Sequence, residues 1–165
     1  MNQPLHTSAT NVKREPGTFW NRIALFLRPN VGSTLSNSGA LIIRLATGLF
    51  IAGFHGWHKL AQGLAYVQHG SHWPLLDDVE GIGLPFPVIG AFAATVTQLL
   101  GGLAVAAGFL TRLAAFAVAM SLVVAAYSNF LSNKENQLAM LYCLLFTGFA
   151  LYGGGRYSVD ERLLG

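Results

Sequence analysis

The stretch of residues 41–60, LIIRLATGLFIAGFHGWHKL, constrains the fold of this chain more than any other feature of its sequence. It matches the ~20 residues that a helix needs to cross the hydrocarbon core of a bilayer. It nevertheless holds a cation, Arg44, within its apolar run, and it ends in a polar cluster formed by His55, His58 and Lys59. A charged side chain inside a spanning helix is costly and therefore marks a functional site by default. The stretch thus predicts a membrane helix that carries a polar site.

The composition agrees with a membrane protein. Hydrophobic residues make up 53% of the 165 residues and charged residues 10%, against about 25% charged residues in a typical soluble domain. The net charge of +3 does not indicate nucleic-acid binding, because the basic residues are scattered around the ends of apolar segments and do not share one face. One domain is expected at this length. We assign it to residues 38–165, after a polar tail of residues 1–37.

The tail contains no uninterrupted apolar run of the kind that a signal peptide requires. Residues 1–17 are rich in Asn, Thr and Pro, which predicts disorder. Residues 18–28 differ, because four apolar side chains recur there at helical spacing: Phe19, Ile23, Phe26 and Leu27. This pattern predicts a short amphipathic helix on the membrane surface. A loop with chance periodicity is the alternative.

Four spanning helices are predicted, so the fold class is an all-α bundle of four transmembrane helices. Their ranges are about 39–60, 87–110, 112–131 and 137–152. The fourth is short as an apolar run, but extension to Asn136 and through Gly153 would make it adequate. Thr111 and Arg112 alone join the second and third, which requires an antiparallel hairpin. The connection at residues 61–86 is predicted to be a polar loop.

The distribution of lysine and arginine predicts the orientation. One side of the membrane receives the basic residues Lys13, Arg14, Arg22, Arg28, Arg112, Arg156 and Arg162. The other side receives only Lys59 and Lys134. Because cytoplasmic loops carry the excess of positive charge, we expect a multi-pass protein of the bacterial inner membrane with both termini in the cytoplasm. The histidine cluster would then face the periplasm.

The chain ends with a glycine run at residues 153–155 followed by Ser158-x-x-Glu161. The latter spacing is a capping-box signature and predicts a short cytoplasmic helix. The glycine run is interpreted as the hinge before that helix. No phosphate-loop context surrounds it, so the sequence gives little support to a binding role.

Polar residues of the first span share one face. At about 100° per residue, Arg44, Gly48, His55 and Lys59 fall within an arc of roughly 60°, and His58 lies at its flank. This predicts one polar stripe, with a glycine notch, that rises from mid-depth to the outer surface. Alternatively, Arg44 extends to the cytoplasmic head groups, although that would not explain why the stripe continues outwards.

A series of residues follows at spacings of three or four in the second span: Gly90, Ala94, Gln98, Gly101, Ala104 and Gly108. All of them are small except the amide Gln98 near the centre. Such a strip lets helix backbones approach closely in lipid. Gln98 is expected either to accept a hydrogen bond from Arg44 or to bond a backbone carbonyl or a further helix. Since a neutral amide leaves the Arg44 charge uncompensated, an anionic partner from lipid, substrate or another subunit is also expected.

Several motifs occur in order between residues 39 and 160: Arg44…Gly48…Phe50…Gly56…Lys59-Leu60, Gly83-Leu84-Pro85-Phe86-Pro87, Gln98-Leu99-Leu100-Gly101-Gly102, Gly108-Phe109-Leu110-Thr111-Arg112 and Gly153-Gly154-Gly155-Arg156-Tyr157-Ser158-Val159-Asp160. Together they resemble the DoxX family of small four-helix bacterial membrane proteins. The resemblance implies a loose link to redox biology, since a related subunit belongs to a thiosulfate:quinone oxidoreductase and other members accompany thiol or oxidative stress systems. The family usually has Glu where this chain has Gln98, and a Gln can neither neutralise Arg44 nor carry a proton.

Redox chemistry requires a cofactor or a pair of thiols, and the sequence completes neither. Haem is not indicated, because His55 and His58 share one helix end. A metal at the outer surface is the alternative use of these residues: His55, His58, His69, His72, Asp77 and Asp78. Loop histidines are usually solvated, so no metal site is predicted. The single cysteine, Cys143, is expected to pack as a small hydrophobe.

A quinone site needs a crevice, a hydrogen-bond donor and an aromatic wall. Gly48 would provide room, Arg44 or His55 the donor, and Trp57 or Tyr142 the wall. The predicted function is therefore a membrane subunit of a quinone-linked redox or stress system. Its expected partners are lipid, a quinone, a soluble or membrane redox subunit, and further copies of the chain. The alternative is a non-enzymatic accessory, small-solute transport or lipid-binding protein, and the sequence alone leaves both open.

Overall fold

The computed structural model describes residues 34–164; the tail and the helix expected at residues 18–28 lie outside this range. The described part is helical and contains no strand. Helix α1 spans residues 34–69, α2 spans Pro74–Gly81 and α3 spans Pro87–Ala107. They are followed by α4 at Thr111–Leu131, α5 at Gln137–Tyr152 and α6 at Val159–Leu164. The predicted all-α class is confirmed, whereas the domain boundary at residue 38 stays a prediction.

Within residues 34–164, three helices are long and apolar enough to cross a membrane: Ser36–His69, Pro87–Ala107 and Thr111–Leu131. Helix α5 is the fourth apolar helix, but it is shorter, at 16 residues. Its expected extension is wrong, because Asn136 and Gly153 lie outside the helix and Gly153 has a φ of 88°. Large side chains such as Ile42, Phe116 and Leu144 remain more than half exposed. Such a surface is suited to lipid contact.

Helix α1 is longer than its apolar run. It consists of Thr34–Phe50, a π-helical segment at Ile51–Trp57, and His58–His69, without a break. The polar loop predicted for residues 61–86 is therefore wrong, since residues 61–69 continue α1 and residues 74–81 form α2. An apolar run indicates only the part of a helix that can lie in lipid. The helix itself can continue beyond that part until a helix-breaking residue ends it. Here the breaker is Gly70, which adopts a left-handed conformation with a φ of 65°.

The spanning helices pack in the order α1, α3, α4 and α5, each against the next. Their common core is formed by Ile51, Val105, Ala115, Val118, Ala119, Leu122, Tyr142 and Phe146. A second cluster contains Trp73, Leu76, Val79 and Ala91, and it attaches α2 to α3. The short helix α2 is thereby fixed over one end of the bundle.

Glycines set the closest approach of α1 to α3. A Cβ atom on Gly48 would lie 2.6 Å from the carbonyl oxygen of Gly102 and 2.7 Å from the nitrogen of Ala106. A Cβ atom on Gly56 would lie 2.6 Å from Cα of Leu99. Because neither distance leaves room for a side chain, the two backbones touch at both positions. The expected glycine notch at Gly48 is thus filled by α3.

The face of α3 that meets α1 differs by one residue from the predicted strip. Gly102 and Ala106 face Gly48, whereas Gly101 packs against Val118 of α4, with its hypothetical Cβ 2.6 Å from Cγ2. The cause is a π-helical turn at Thr97–Gly101. A π-turn accommodates one more residue than an α-turn, so every residue after it moves to the neighbouring face.

Candidate functional site

The polar residues that the sequence places in one stripe belong to two separate groups. His55, His58, Lys59, Gln98 and Tyr142 come together around a cavity at the end of the bundle that α2 covers. Arg44 lies near the opposite end, against the chain that follows α5. Gly48 lies between them in the α1–α3 contact. The structure therefore brings five of the seven predicted site residues to one cavity.

The cavity has a volume of about 340 Å³, within the range of small-molecule pockets. Helices α1, α2, α3, α4 and α5 all contribute to it. Its polar lining includes His55, His58, Lys59, Gln62, Asp78, Gln98, Ser121, Ser128, Asn129, Glu135 and Tyr142. Its apolar lining includes Leu75, Val79, Ile82, Ala94, Leu122, Val124, Leu138 and Ala139. Val124 and Leu138 are also exposed on the outer surface of the bundle, so the rim borders the lipid-facing side.

Gln98 lies deep in this cavity, 1% exposed. Its Oε1 accepts a hydrogen bond of 3.1 Å from Nζ of Lys59. The expected hydrogen bond from Arg44 is therefore wrong, because Arg44 is engaged at the other end of α1. Gln98 does meet the polar face of the first span, but its partner there is Lys59 and not Arg44.

Ring contacts to Tyr142 of α5 join it to α1 beside Lys59. The rings of His55 and Tyr142 meet edge to face, with centroids 5.7 Å apart. Phe50 stacks on the same tyrosine at 6.0 Å. Tyr142 therefore forms one wall of the cavity. Trp57, the other aromatic residue considered for this role, does not line the cavity and is 63% exposed.

One carboxylate at the cavity, that of Asp78, is held in place by contacts with two other segments. Lys134 forms an ion pair with the carboxylate of Asp78, and the hydroxyl of Ser128 donates to the backbone carbonyl of Asp78 at 3.0 Å. These contacts join α2 to the end of α4. They place a carboxylate at the cavity surface, where its charge attracts the ammonium of Lys59.

The remaining histidines do not gather around a common point. The ring of His58 bonds Gln62 at 3.0 Å, and the ring of His72 bonds Asp77 at 2.8 Å. Within residues 34–164, no three His, Cys, Asp or Glu side chains are arranged to hold a metal ion. Cys143 is partly buried beside the core, and its sulfur lies 3.9 Å from the carbonyl oxygen of Ala119.

Arg44 fixes the chain that follows α5. Its side chain is 2% exposed, and its guanidinium donates to the carbonyl oxygens of Gly154 and, at 3.2 Å, Tyr157. Its Nε has no partner among the described residues. The carboxylate of Asp160 acts on this charge through space and not in a direct ion pair. Arg44 therefore neither lines the cavity nor reaches out along the head groups.

Asp160 caps the first turn of α4 from 50 residues away. Its carboxylate accepts hydrogen bonds from the backbone N–H groups of Leu110 and Thr111, at 2.6 and 2.8 Å, and from the Thr111 hydroxyl at 2.8 Å. Partial burial raises the pKa of this carboxyl, but these hydrogen bonds and the charge of Arg44 outweigh burial, so the pKa is lowered overall. The charge of Asp160 thus acts on Arg44 without a direct ion pair, and an anionic partner from lipid, substrate or another subunit stays a prediction.

The predicted short helix after the glycine run is confirmed as α6. The backbone N–H of Glu161 donates to the hydroxyl of Ser158 at 3.1 Å, as the capping-box spacing requires. The roles of Asp160 and Asp78 were missed, because their partners lie far away in the sequence and no local pattern marks them. The signals for Asp160 were its place just beyond the last apolar run and its position at the end of the motif at residues 153–160.

Several long apolar helices that expose large hydrophobic side chains define a small multi-pass integral membrane protein. Comparison with family models assigns a DoxX domain to residues 39–130. This range is more than half of the chain, so the chain belongs to the DoxX family. Comparison with curated proteins and with solved structures gave no match. The family match ends before α5, so it does not extend to the motif at residues 153–160.

Proposed function

We propose that this protein is a membrane subunit of a quinone-linked redox system in the bacterial inner membrane, with both termini in the cytoplasm. The observation that carries the proposal is the cavity in which Lys59, His55 and Tyr142 surround a space bordering the lipid-facing side. The orientation rests on Arg112 and Arg156, which lie at the end of the bundle opposite this cavity, and on the basic residues that precede the first span in the sequence, because cytoplasmic segments carry the excess of positive charge.

The residues present fit the head group of a quinone. Such a head group is a flat, largely apolar ring with two carbonyl acceptors, and it enters from the bilayer. Lys59 and His55 offer donors, while Leu122 and Tyr142 offer an apolar and an aromatic wall. When bound, a quinone supplies the capacity to accept electrons and protons.

The chain's own contribution would be to bind and orient this ring. Lys59 is held at the cavity wall by its hydrogen bond to Gln98, so one donor has a fixed position. Removal of the Lys59 ammonium would weaken ligand binding, because the ligand carbonyl would lose a charge-assisted hydrogen bond. The chain has one cysteine, so a thiol-oxidising step would require cysteines of a partner subunit.

Quinone binding to the purified protein in lipid nanodiscs tests the proposal. We expect binding of a short-chain ubiquinone or menaquinone analogue, measured as the quinone retained by loaded over empty nanodiscs, to weaken about tenfold in Lys59→Met, which removes a charged hydrogen bond. His55→Gln should also weaken binding. His69→Gln is the matched control, because His69 is exposed and does not line the cavity.

The result also separates the two functional classes. Wild-type protein that binds no quinone under these conditions would contradict the proposal and favour a non-enzymatic accessory role. Unchanged binding in both Lys59→Met and His55→Gln would show that the quinone partitions into the membrane without using the cavity.

A further inference from the structure

A second cavity lies at the end of the bundle opposite Lys59, where α4 begins and α5 ends. Its volume is about 650 Å³, and its lining includes Arg112, Arg156 and the glycine run at residues 153–155. We propose that this cavity binds the phosphate group of an anionic phospholipid between Arg112 and Arg156. The proposal is independent of the quinone site.

Both arginines are available to an anion. The ion pairs found within residues 34–164 are His72–Asp77 and Lys134–Asp78, so neither Arg112 nor Arg156 is neutralised by a carboxylate in contact with it. Guanidinium groups match the geometry of phosphate oxygens and can bind them in pairs. Two such groups beside one cavity can therefore hold one phosphate from two directions.

The glycine run allows the two arginines to share the cavity. Gly153 has a φ of 88°, and a Cβ atom there would lie 3.1 Å from Nε of Arg112. The side chain of Arg112 therefore lies directly over the backbone of the turn that leads to Arg156. A larger residue at position 153 would push Arg112 away from that turn.

The rim of the cavity indicates a lipid and not a free anion. Leu113 is 65% exposed and Tyr152 is 57% exposed, and both line the cavity. They continue the apolar outer surface of α4 and α5, along which acyl chains can lie. Tyrosine is enriched at the level of the head groups, and basic pockets between spanning helices at the cytoplasmic side are typical binding sites for anionic lipids.

Two acidic residues, Asp160 and Glu161, also line this cavity, and they differ in their effect on a bound phosphate. Both oxygens of Asp160 are occupied by Leu110 and Thr111. The side chain of Glu161 is exposed and makes no hydrogen bond or ion pair within the described chain. Its charge opposes a bound phosphate, so neutralising Glu161 should tighten lipid binding.

Native mass spectrometry of the full-length protein in neutral detergent measures the effect. Phosphatidylglycerol is titrated, with phosphatidylcholine and inorganic phosphate as comparison probes. We expect Arg112→Gln and Arg156→Gln each to weaken phosphatidylglycerol binding about fivefold, and Glu161→Gln to strengthen it by a similar factor. Arg162→Gln is the matched control, because it removes the same charge from the same segment but outside the cavity; it should change binding less than twofold.

Two results would overturn the proposal. An equal loss in Arg162→Gln and Arg156→Gln would mean that the lipid responds to overall surface charge. Inorganic phosphate that binds as tightly as phosphatidylglycerol would identify a site for a free anion. Since Glu161→Gln predicts a gain of binding, the proposal stays testable even if an arginine variant fails to fold.

Discussion

The ammonium nitrogen of Lys59 lies 3.1 Å from Oε1 of Gln98, which is itself 1% exposed. This hydrogen bond joins α1 to α3 in the cavity that α2 covers. A charged donor that bonds a buried amide should contribute about 1.5–3 kcal/mol. We expect a double-mutant cycle of Lys59→Met and Gln98→Leu to give a coupling free energy of at least 1 kcal/mol, from reversible unfolding in mixed micelles. Additive effects would contradict a direct bond.

A carboxylate at position 98 should pair with the same lysine. In Gln98→Glu the new oxygen would occupy the position that already accepts from Lys59, so an ion pair replaces a charge-to-amide bond. We expect this variant to be at least as stable as the wild type. In a Lys59→Met background the same change should destabilise the protein by about 3–5 kcal/mol, because it leaves a buried unpaired charge.

Gln68→Glu is the control for that comparison. Gln68 is exposed near the end of α1, so its change should have the same small effect in both backgrounds. If Gln98→Glu behaved in the same way with and without Lys59, the assigned partner would be wrong. A selective effect of Arg44→Met would point back to the arginine.

Arg44 should determine whether residues 153–164 stay docked. Arg44→Met removes the donors to the carbonyl oxygens of Gly154 and Tyr157. We expect a loss of about 2 kcal/mol and faster hydrogen exchange in residues 153–164, measured by mass spectrometry. Arg162→Met removes an exposed arginine and should leave exchange unchanged. Equal exchange in Arg44→Met and wild type would show that other contacts hold the segment.

Gly48 tests the contact between α1 and α3. In Gly48→Ala the new methyl group would lie 2.6 Å from the carbonyl oxygen of Gly102, so the helices must separate. We expect a loss of about 1–3 kcal/mol, measured by unfolding in mixed micelles. Gly53→Ala is the matched control, since nothing lies within 4 Å of its hypothetical Cβ. It should be neutral or stabilising, because alanine is the better helix former.

Asp160 should make stability depend on acidic pH. Because its pKa is lowered in the folded protein, the unfolded state takes up the proton first. The stabilising contribution is therefore complete above the unfolded pKa of about 3.9 and is lost as the pH falls through the folded value. We expect the melting temperature of the wild type to fall more between pH 5 and pH 3 than that of Asp160→Asn. Glu80→Gln, at an exposed position in α2, should retain the wild-type dependence.

The cavity at α2 was only partly accessible from the sequence. His55, Lys59 and Gln98 were found because polar side chains are conspicuous in apolar runs. Arg44 was found by the same signal, yet it lies near the opposite end of the bundle, against the chain that follows α5. A helical projection shows only the angle around the helix axis, whereas Arg44 and His55 are separated along that axis by about 16 Å at 1.5 Å per residue. Residues that share one angular face can therefore belong to two sites at different depths.

The sequence by itself determined the class of the protein, its four apolar helices and its family motifs, since burial in lipid requires long apolar runs and internally satisfied backbones. Only the tertiary structure decided the partners of the polar groups. Lys59 reaches Gln98, 39 residues away, and Arg44 reaches Gly154, 110 residues away. Such pairings depend on the packing of separate helices and on one-residue shifts at π-turns, and neither leaves a local pattern in the chain.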